Sequence, residues 1–238
     1  MFEQQSLNRS RGALGTAEFD IGLRKHMLRI YNYMASGVLL TGIVAMLVAS
    51  TPALYQPIFG TPLKWVVMLA PLAFVFLFSF RIEKMSASTA QALFWVFSGL
   101  MGLSLASVFL VFTGASIAQT FFVAAVMFLS MSLYGYTTGR DLSKVGSFLI
   151  MGLIGVVLAS LVNLFLQSSA LQMVVSIVGV IVFTGLTAWE TQNIKAQYAE
   201  HHGFEANSKL AVFGALSLYL NFVNLFQLLL NLMGQREE

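Results

Sequence analysis

Residues 170–195 read ALQMVVSIVGVIVFTGLTAWETQNIK, and this stretch decides the fold. About twenty uncharged, mostly apolar residues precede Glu190, whose carboxyl group stands against the last turn of the run. A hydrocarbon core of about 30 Å needs about twenty residues of helix to cross it. The stretch therefore predicts a membrane-spanning helix that carries one acidic side chain near its end.

Composition extends this conclusion to the whole chain. Hydrophobic residues make up 58% of the 238 residues and charged residues only 10%, which is typical of an integral membrane protein. The chain has no cysteine, so it has no disulfide framework and no thiolate site. The net charge is only +3, and the basic residues are scattered among short loops, which indicates membrane orientation and no nucleic-acid partner.

Seven apolar runs are long enough to cross a bilayer, and none alternates polar and apolar residues as a barrel strand does. We therefore predict an all-α fold, a bundle of seven transmembrane helices in residues 27–234, behind a polar tail in residues 1–26. The predicted spans are Met27 to Ser50, Leu63 to Phe80, Ala90 to Phe112, Ala118 to Gly139, Val145 to Leu166, Ala170 to Glu190, and Leu210 to Met233.

The basic residues predict the orientation of the bundle. Of the thirteen Lys and Arg, eleven fall in the N-terminal tail and every second loop, and only Lys64 and Arg236 fall on the opposite side. Because cytoplasmic loops retain positive charge, we expect the N-terminus in the cytoplasm and the C-terminus outside.

Ionisable side chains within the spans are the first candidates for function, because burying one in a membrane costs several kcal/mol unless it is paired or hydrated. Glu190 is the only carboxylate within a predicted span, and Arg81 ends the second span at a similar depth. We predict that they pair. The alternative is that Arg81 extends to the headgroups while Glu190 faces water beyond the last turn.

A stripe of small and amide residues runs along the last span. Its members, at helical spacing, are Gly214, Ser217, Asn221, Asn224 and Asn231. The stripe indicates helix packing stabilised by amides, a polar path in which Ser217, Asn224 and Asn231 line a pore that ends at Glu190, or both. Small residues recur elsewhere, which predicts close packing at Ser98, Gly102 and Ala106 and at Gly135 and Gly139.

The residues argue against an enzyme. His26, His201 and His202 all lie outside the predicted spans, so an intramembrane zinc site or a Ser and His pair lacks its imidazole. An aspartyl dyad would need two acidic groups at depth. We expect neither a catalytic residue nor a cofactor.

Several stretches carry a family resemblance. They are LRIYNYMASGVLLTGIVA, PLAFVFLFSFRIEKMS, SLYGYTTGRDLSKVGSFLIMGLIGVVLASLVNLFLQSSALQ, GLTAWETQNIK and ALSLYLNFVNLFQLLLNLMG. Together they resemble the bacterial branch of the Bax inhibitor-1 (transmembrane Bax inhibitor motif) family, from about Leu28 to Gly234.

The resemblance implies a seven-helix protein of the bacterial inner membrane whose last helix is central, and which acts as a pH-sensitive calcium leak linked to stress responses. It also implies a proton sensor made of two acidic residues, with an arginine that latches to the first. The matching positions are Glu190, Asn221 and Arg81. Bacterial members are further linked to a membrane-bound AAA protease, which makes that protease a possible partner beside the lipid bilayer and calcium ions.

This chain departs from the family pattern, because Glu190 replaces the first Asp and Asn221 replaces the second. A single carboxyl group beside a neutral amide has no second carboxyl group with which to share a proton, so we expect pH gating to be altered. Glu190 and Asn221 still offer oxygen ligands to calcium, although with one negative charge fewer. The alternative is a non-conducting regulator that binds other membrane proteins, such as the AAA protease.

Overall fold

The computed structural model describes the backbone of residues 2–81, 85–199 and 203–237, with the side chains of residues 2–20 and 76–81 outside the description. Within these ranges the long elements are all helices, joined by short loops. The eight helices are α1 (Phe2–Ala49), α2 (Pro52–Phe59), α3 (Leu63–Arg81), α4 (Ala87–Val111), α5 (Gly114–Thr137), α6 (Ser143–Leu166), α7 (Ser169–Gln197) and α8 (Gly203–Met233).

Six of the described helices are long and apolar enough to cross a membrane. The helices α2 and α3 meet at a bend of 87°, and they provide a seventh crossing if the bent pair is counted as one span. The predicted all-α membrane architecture is therefore confirmed, while the exact count of seven spans stays a prediction.

Four helices differ from the sequence prediction, and one of them is α8, which begins at Gly203 and not at Leu210. The helix α1 begins at Phe2 and runs without a break through Met27, and its apolar membrane segment begins at Ile21. The helix α2 forms between the first two predicted spans, where Pro52 occupies the first helical turn, a position at which its fixed φ angle and missing N–H are tolerated. The helix α7 continues to Gln197, about two turns beyond Glu190.

Hydroxyl side chains cap three of the helices. Ser86, Thr113 and Ser168 each accept a hydrogen bond from a backbone N–H in the first turn of α4, α5 and α7, respectively. An N-terminal cap satisfies one of the free donors of the first turn, so these residues fix where each helix begins.

The last helix, α8, is the most buried part of the bundle. It packs against α1, α4, α5 and α7, and 61% of its apolar segment is buried, against 17–39% for the other spans. Tyr219 of α8 is fully buried between the rings of Phe94 and Phe97, and its hydroxyl group lies 2.6 Å from Thr41 Oγ1 of α1. These contacts give α8 four neighbouring helices, while the predicted central position of the last helix stays a prediction.

Glycines allow two pairs of helices to approach closely. A Cβ atom on Gly102 of α4 would come within 2.6 Å of Val44 Cβ on α1, and one on Gly135 of α5 would collide with the backbone carbonyl of Ala188 on α7. A Cβ atom on Gly139 would meet nothing within 4 Å. The predicted small-residue packing therefore holds at Gly102 and Gly135, while Gly139 lies in open space.

Candidate functional site

Glu190 lies on α7, seven residues before the helix ends at Gln197. Its Oε2 atom is buried and has no hydrogen-bond partner among the described residues. The Ser217 side chain of α8 lies close to this carboxyl group. The Oε2 atom therefore lies inside the bundle, while the predicted pairing with Arg81 and the alternative of two interface residues both stay untested.

The packing of α7 against α8 explains this placement. Gly179 of α7 lies against Leu228 of α8, and Ile194 lies against Gly214, so the two helices run antiparallel with Glu190 at the level of Ser217. Asn221 follows Ser217 by one helical turn, or about 6 Å along the axis. The register therefore places the carboxyl group and the amide at adjacent levels of one seam.

Asn221 is buried, with 5% of its surface exposed, and its Nδ2 atom has no hydrogen-bond partner in the described part of the chain. A buried polar group without a partner costs about 1–3 kcal/mol, so each such group in a native structure needs an explanation. Glu190 Oε2 and Asn221 Nδ2 are two such atoms on neighbouring turns. The α7–α8 seam, as we call the contact between α7 and α8 around Glu190, Ser217 and Asn221, therefore contains polar atoms without hydrogen-bond partners among the described residues.

A chain of buried hydroxyl groups lies beside this seam. Tyr31 of α1 hydrogen-bonds Ser132 of α5 at 2.6 Å, and Ser132 hydrogen-bonds Thr191 of α7 at 2.9 Å. Thr191 also donates to the carbonyl oxygen of Thr187 at 2.7 Å. The chain links three helices and ends next to Glu190 in the sequence. The sequence alone does not predict this chain, because its only signal is the presence of hydroxyl residues in otherwise apolar spans.

The remaining candidate residues have different environments. Asn224 Nδ2 donates to the carbonyl oxygen of Leu220 on its own helix at 2.8 Å. Asn231 is exposed, and it lies fourteen residues from Ser217, or about 21 Å along the helix. The side chain of Arg81 lies outside the described residues, so its predicted pairing with Glu190 stays a prediction.

The prediction for one histidine needs a correction. His26 was assigned to the polar tail, but it is 6% exposed and its ring centroid lies 5.1 Å from that of Tyr198. It is buried because α1 continues through it and packs against the chain that follows α7. His201 and His202 lie outside the described residues.

The acidic side chains do not by themselves form a resident metal site. Among the described residues, no group of three or more His, Asp or Glu could hold a metal ion. Calcium takes six to eight oxygen ligands. The oxygens of Glu190 and Asn221 could supply only part of that shell.

The C-terminal turns of α7 hold the loop between α5 and α6. Gln192 Oε1 accepts a hydrogen bond from the N–H of Leu142 at 2.9 Å, and its Nε2 donates to the carbonyl oxygen of Arg140 at 2.8 Å. Lys195 Nζ donates to the carbonyl oxygen of Tyr136 at 2.9 Å. The residues that follow Glu190 therefore fasten α7 to α5 and fix the height of the carboxyl group.

The chain folds as an all-α bundle, and the Glu190 carboxyl group lies between its last two helices with an oxygen atom that has no hydrogen-bond partner among the described residues. These features define a multi-pass membrane protein with a polar site between α7 and α8. The family model described as Inhibitor of apoptosis-promoting Bax1 matches residues 23–238. The chain therefore belongs to the Bax inhibitor-1 family, as the sequence motifs predicted.

Relatives from several bacteria are similar over most of their length. The chain is 48% identical over 220 residues to an uncharacterized protein of Rickettsia prowazekii, with 92% of this chain and 93% of the relative covered. It is 46% identical over 218 residues to the inner membrane protein YbhL of Escherichia coli, with 90% and 93% covered. It is 45% identical over 229 residues to an uncharacterized protein of Caulobacter vibrioides, with 92% of each covered.

Proposed function

We propose that this protein is a calcium-permeable cation leak channel of the bacterial inner membrane, with its N-terminus in the cytoplasm and its gate at the α7–α8 seam. The observation that carries the proposal is the Glu190 carboxyl group, whose Oε2 atom is buried without a partner among the described residues. A membrane helix bundle gains nothing in stability from such a group, so its presence indicates a role in transport. The YbhL relative, which is named an inner membrane protein, supports the location.

In this proposal, the described conformation is the closed state of the gate. Ser217 and the buried amide of Asn221 occupy the seam beside Glu190, and the rings of Tyr219 and Phe222 fill neighbouring positions of α8. Separation of α7 from α8 would expose the carboxyl and amide oxygens to water and to a passing cation. In the closed state these oxygens face protein, so the gate would open through movement of helices, as expected for tightly packed interiors.

The proton would act on Glu190 alone. Charging this carboxyl group favours hydration and contact with a cation, while protonation allows it to remain in the closed seam. Because Asn221 is neutral, no second acid shares the proton, and the pH response would be that of a single site. We therefore infer gating that is simpler than in relatives with two acids.

Calcium flux into dye-loaded vesicles tests the proposal. Purified protein would pass calcium, and Glu190→Gln would make the flux independent of pH, because the amide cannot titrate. Glu237→Gln is the matched control, since Glu237 is exposed near the C-terminus, and it would retain the wild-type profile. Wild-type flux whose pH profile survives in Glu190→Gln would contradict the role of Glu190.

A second candidate function is a non-conducting regulator that binds other membrane proteins, such as a membrane-anchored AAA protease. The observation that favours it is the close packing of α7 against α8, where Gly179 lies against Leu228 and Gly214 lies against Ile194. Absence of calcium flux at every pH, with recovery of a protease in pull-downs from native membranes, would select this function over the channel.

A further inference from the structure

A continuous groove runs along the lipid-facing side of the bundle between α1 and α5. Each of these helices packs against α8, but they have few direct contacts with one another, so α8 forms the floor. Three adjoining cavities of about 670, 460 and 330 Å³ make up the opening. We call it the α1–α5 groove, and its lining includes Arg24, Tyr31, Gly42, Phe121, Leu129 and Phe222.

The three cavities share residues, which shows that they connect. Tyr31 and Leu129 line both the 670 Å³ and the 460 Å³ cavities, and Gly42 and Phe121 line both the 670 Å³ and the 330 Å³ cavities. Except for the end near Arg24 and the hydroxyl group of Tyr31, the two larger cavities are lined mainly by aliphatic and aromatic side chains. The groove is therefore apolar along most of its length and polar at one end.

The polar end carries positive charge. Arg24 lines this end directly. Lys195 lies next to Tyr136, another lining residue, with its Nζ atom 5.0 Å from the centroid of the tyrosine ring. Among the described residues that line the three cavities, none is Asp or Glu. A phosphate group is the anion that a membrane offers at this depth, because phospholipid headgroups flank the hydrocarbon core.

The length of the groove matches one lipid. Gly42 follows Tyr31 by eleven residues of α1, which is about 16 Å and close to half of a hydrocarbon core of about 30 Å. Arg24 precedes Tyr31 by seven residues, or about 10 Å, which places its charge at headgroup depth. An acyl chain of a single leaflet would therefore reach from the tyrosine to Gly42 while its phosphate lies beside Arg24.

From this geometry we infer that the α1–α5 groove is a binding site for one anionic phospholipid, with its phosphate at Arg24 and an acyl chain between α1 and α5. The site is separate from the α7–α8 seam and does not depend on the channel activity. The hydroxyl chain of Tyr31, Ser132 and Thr191 begins at the wall of this site. An occupying lipid would therefore cover the outer end of that chain.

Native mass spectrometry of the purified full chain tests the binding. The probes are dioleoyl phosphatidylglycerol and dioleoyl phosphatidylcholine at equal concentration. We expect one phosphatidylglycerol to be retained about fivefold more than phosphatidylcholine, and we expect Arg24→Gln to remove this preference, because one basic residue near an anionic lipid contributes about that factor. Equal retention of the two lipids by the wild-type protein would overturn the anionic site.

Substitution of a glycine tests the place of the acyl chain. A Cβ atom on Gly42 meets nothing within 4 Å, so Gly42→Leu fills the groove without a clash. Gly155→Leu is the matched control, because a Cβ atom there also meets nothing within 4 Å and Gly155 is exposed on α6. We expect Gly42→Leu to lower the retained phosphatidylglycerol more than tenfold and Gly155→Leu to leave it unchanged. Equal retention by the two variants would overturn the proposal.

Photocrosslinking of the wild-type protein gives an answer that does not depend on how the variants fold. Phosphatidylglycerol with a diazirine at the end of one acyl chain would label peptides of α1 and α5 around Gly42 and Phe121. Labelling of the exposed face of α6 at the same level as the groove would show ordinary surrounding lipid and contradict the site. Crosslinks between two copies of α1 in place of lipid adducts would assign the groove to a dimer and would likewise contradict it.

Discussion

The contact between α5 and α7 at Gly135 leads to a prediction about stability. A Cβ atom at this position would lie 2.9 Å from Ala188 Cα and would collide with the Ala188 carbonyl oxygen, and neither backbone atom can rotate away. Gly135→Ala therefore forces the two helices apart. Overpacking costs about 1–3 kcal/mol, and a clash against backbone atoms that cannot move aside lies at the upper end, about 2–3 kcal/mol. The better helix propensity of Ala returns at most about 1 kcal/mol.

The net loss of about 1–2 kcal/mol corresponds to a fall in Tm of roughly 2–8 °C for a chain of this size. Thermal unfolding in detergent, followed by circular dichroism, measures it. Gly139→Ala is the control, since a Cβ atom there meets nothing within 4 Å, and its Tm would not fall. A Gly135→Ala variant that is as stable as Gly139→Ala would refute the close α5–α7 contact on which the position of Thr191 and Glu190 depends.

Two further predictions concern hydrogen bonds. Tyr31→Phe removes the hydrogen bond of 2.6 Å between Tyr31 and Ser132. We expect this change to destabilise the protein by about 0.6 kcal/mol, the average for such bonds in membrane bundles. Tyr33→Phe on the same helix is the control and would not destabilise it, and unfolding in mixed micelles compares the stability of the two variants. In the α5–α6 loop, hydrogen bonds from the Ser143 side chain and N–H hold the pKa of Asp141 below its usual value. The ionised carboxylate therefore stabilises the loop at pH values above the usual pKa of Asp, and this stabilisation is lost as the pH falls. Ser143→Ala would raise the pKa of Asp141, which carboxyl NMR titration would detect, and an unchanged pKa would contradict the role of the hydroxyl group.

Much of the fold follows from the sequence because the length of each apolar run is set by the bilayer. The predicted spans for α4 to α6 begin and end within four residues of the observed helices. The helices α7 and α8 extend beyond their predicted spans, α7 at its end and α8 at its beginning. The short helix α2 was missed because prolines suggest a loop, although Pro52 at the first turn is compatible with a helix. The continuation of α1 to Phe2 was missed because polar residues 1–26 carry no apolar signal.

The site was predicted only in part. Glu190 was identified because a charged residue in an apolar run is rare, and this signal needs no knowledge of the fold. Its contact with Ser217 depends on the register of α7 against α8, which the sequence does not determine. Asn224 and Asn231 share the periodicity of Asn221, yet Asn224 bonds its own helix and Asn231 is exposed. Periodicity assigns residues to a face and does not say where along its length that face is covered.

The hydroxyl chain was not predictable for a related reason. Ser and Thr in membrane helices usually bond the carbonyl oxygen four residues earlier, as Thr187 does with Phe183 at 2.8 Å. Nothing in the local sequence separates such residues from Ser132 and Thr191, which bond each other across helices, although Thr191 also donates to the carbonyl oxygen of Thr187. Only the tertiary arrangement distinguishes the two cases.

The central claim is that a single buried carboxyl group controls a cation path at the α7–α8 seam, and Asn221→Asp tests it most directly. A second carboxylate one helical turn from the level of Glu190 would repel it, and two unit charges about 6 Å apart repel by roughly 3 kcal/mol at an effective dielectric constant of about 20. The two acids would then titrate in separate steps. Calcium flux into vesicles would then change its pH profile from one step to two, while Asn231→Asp, at an exposed position of the same helix, would keep the wild-type profile. A pH profile for Asn221→Asp that matches the wild type would contradict the claim.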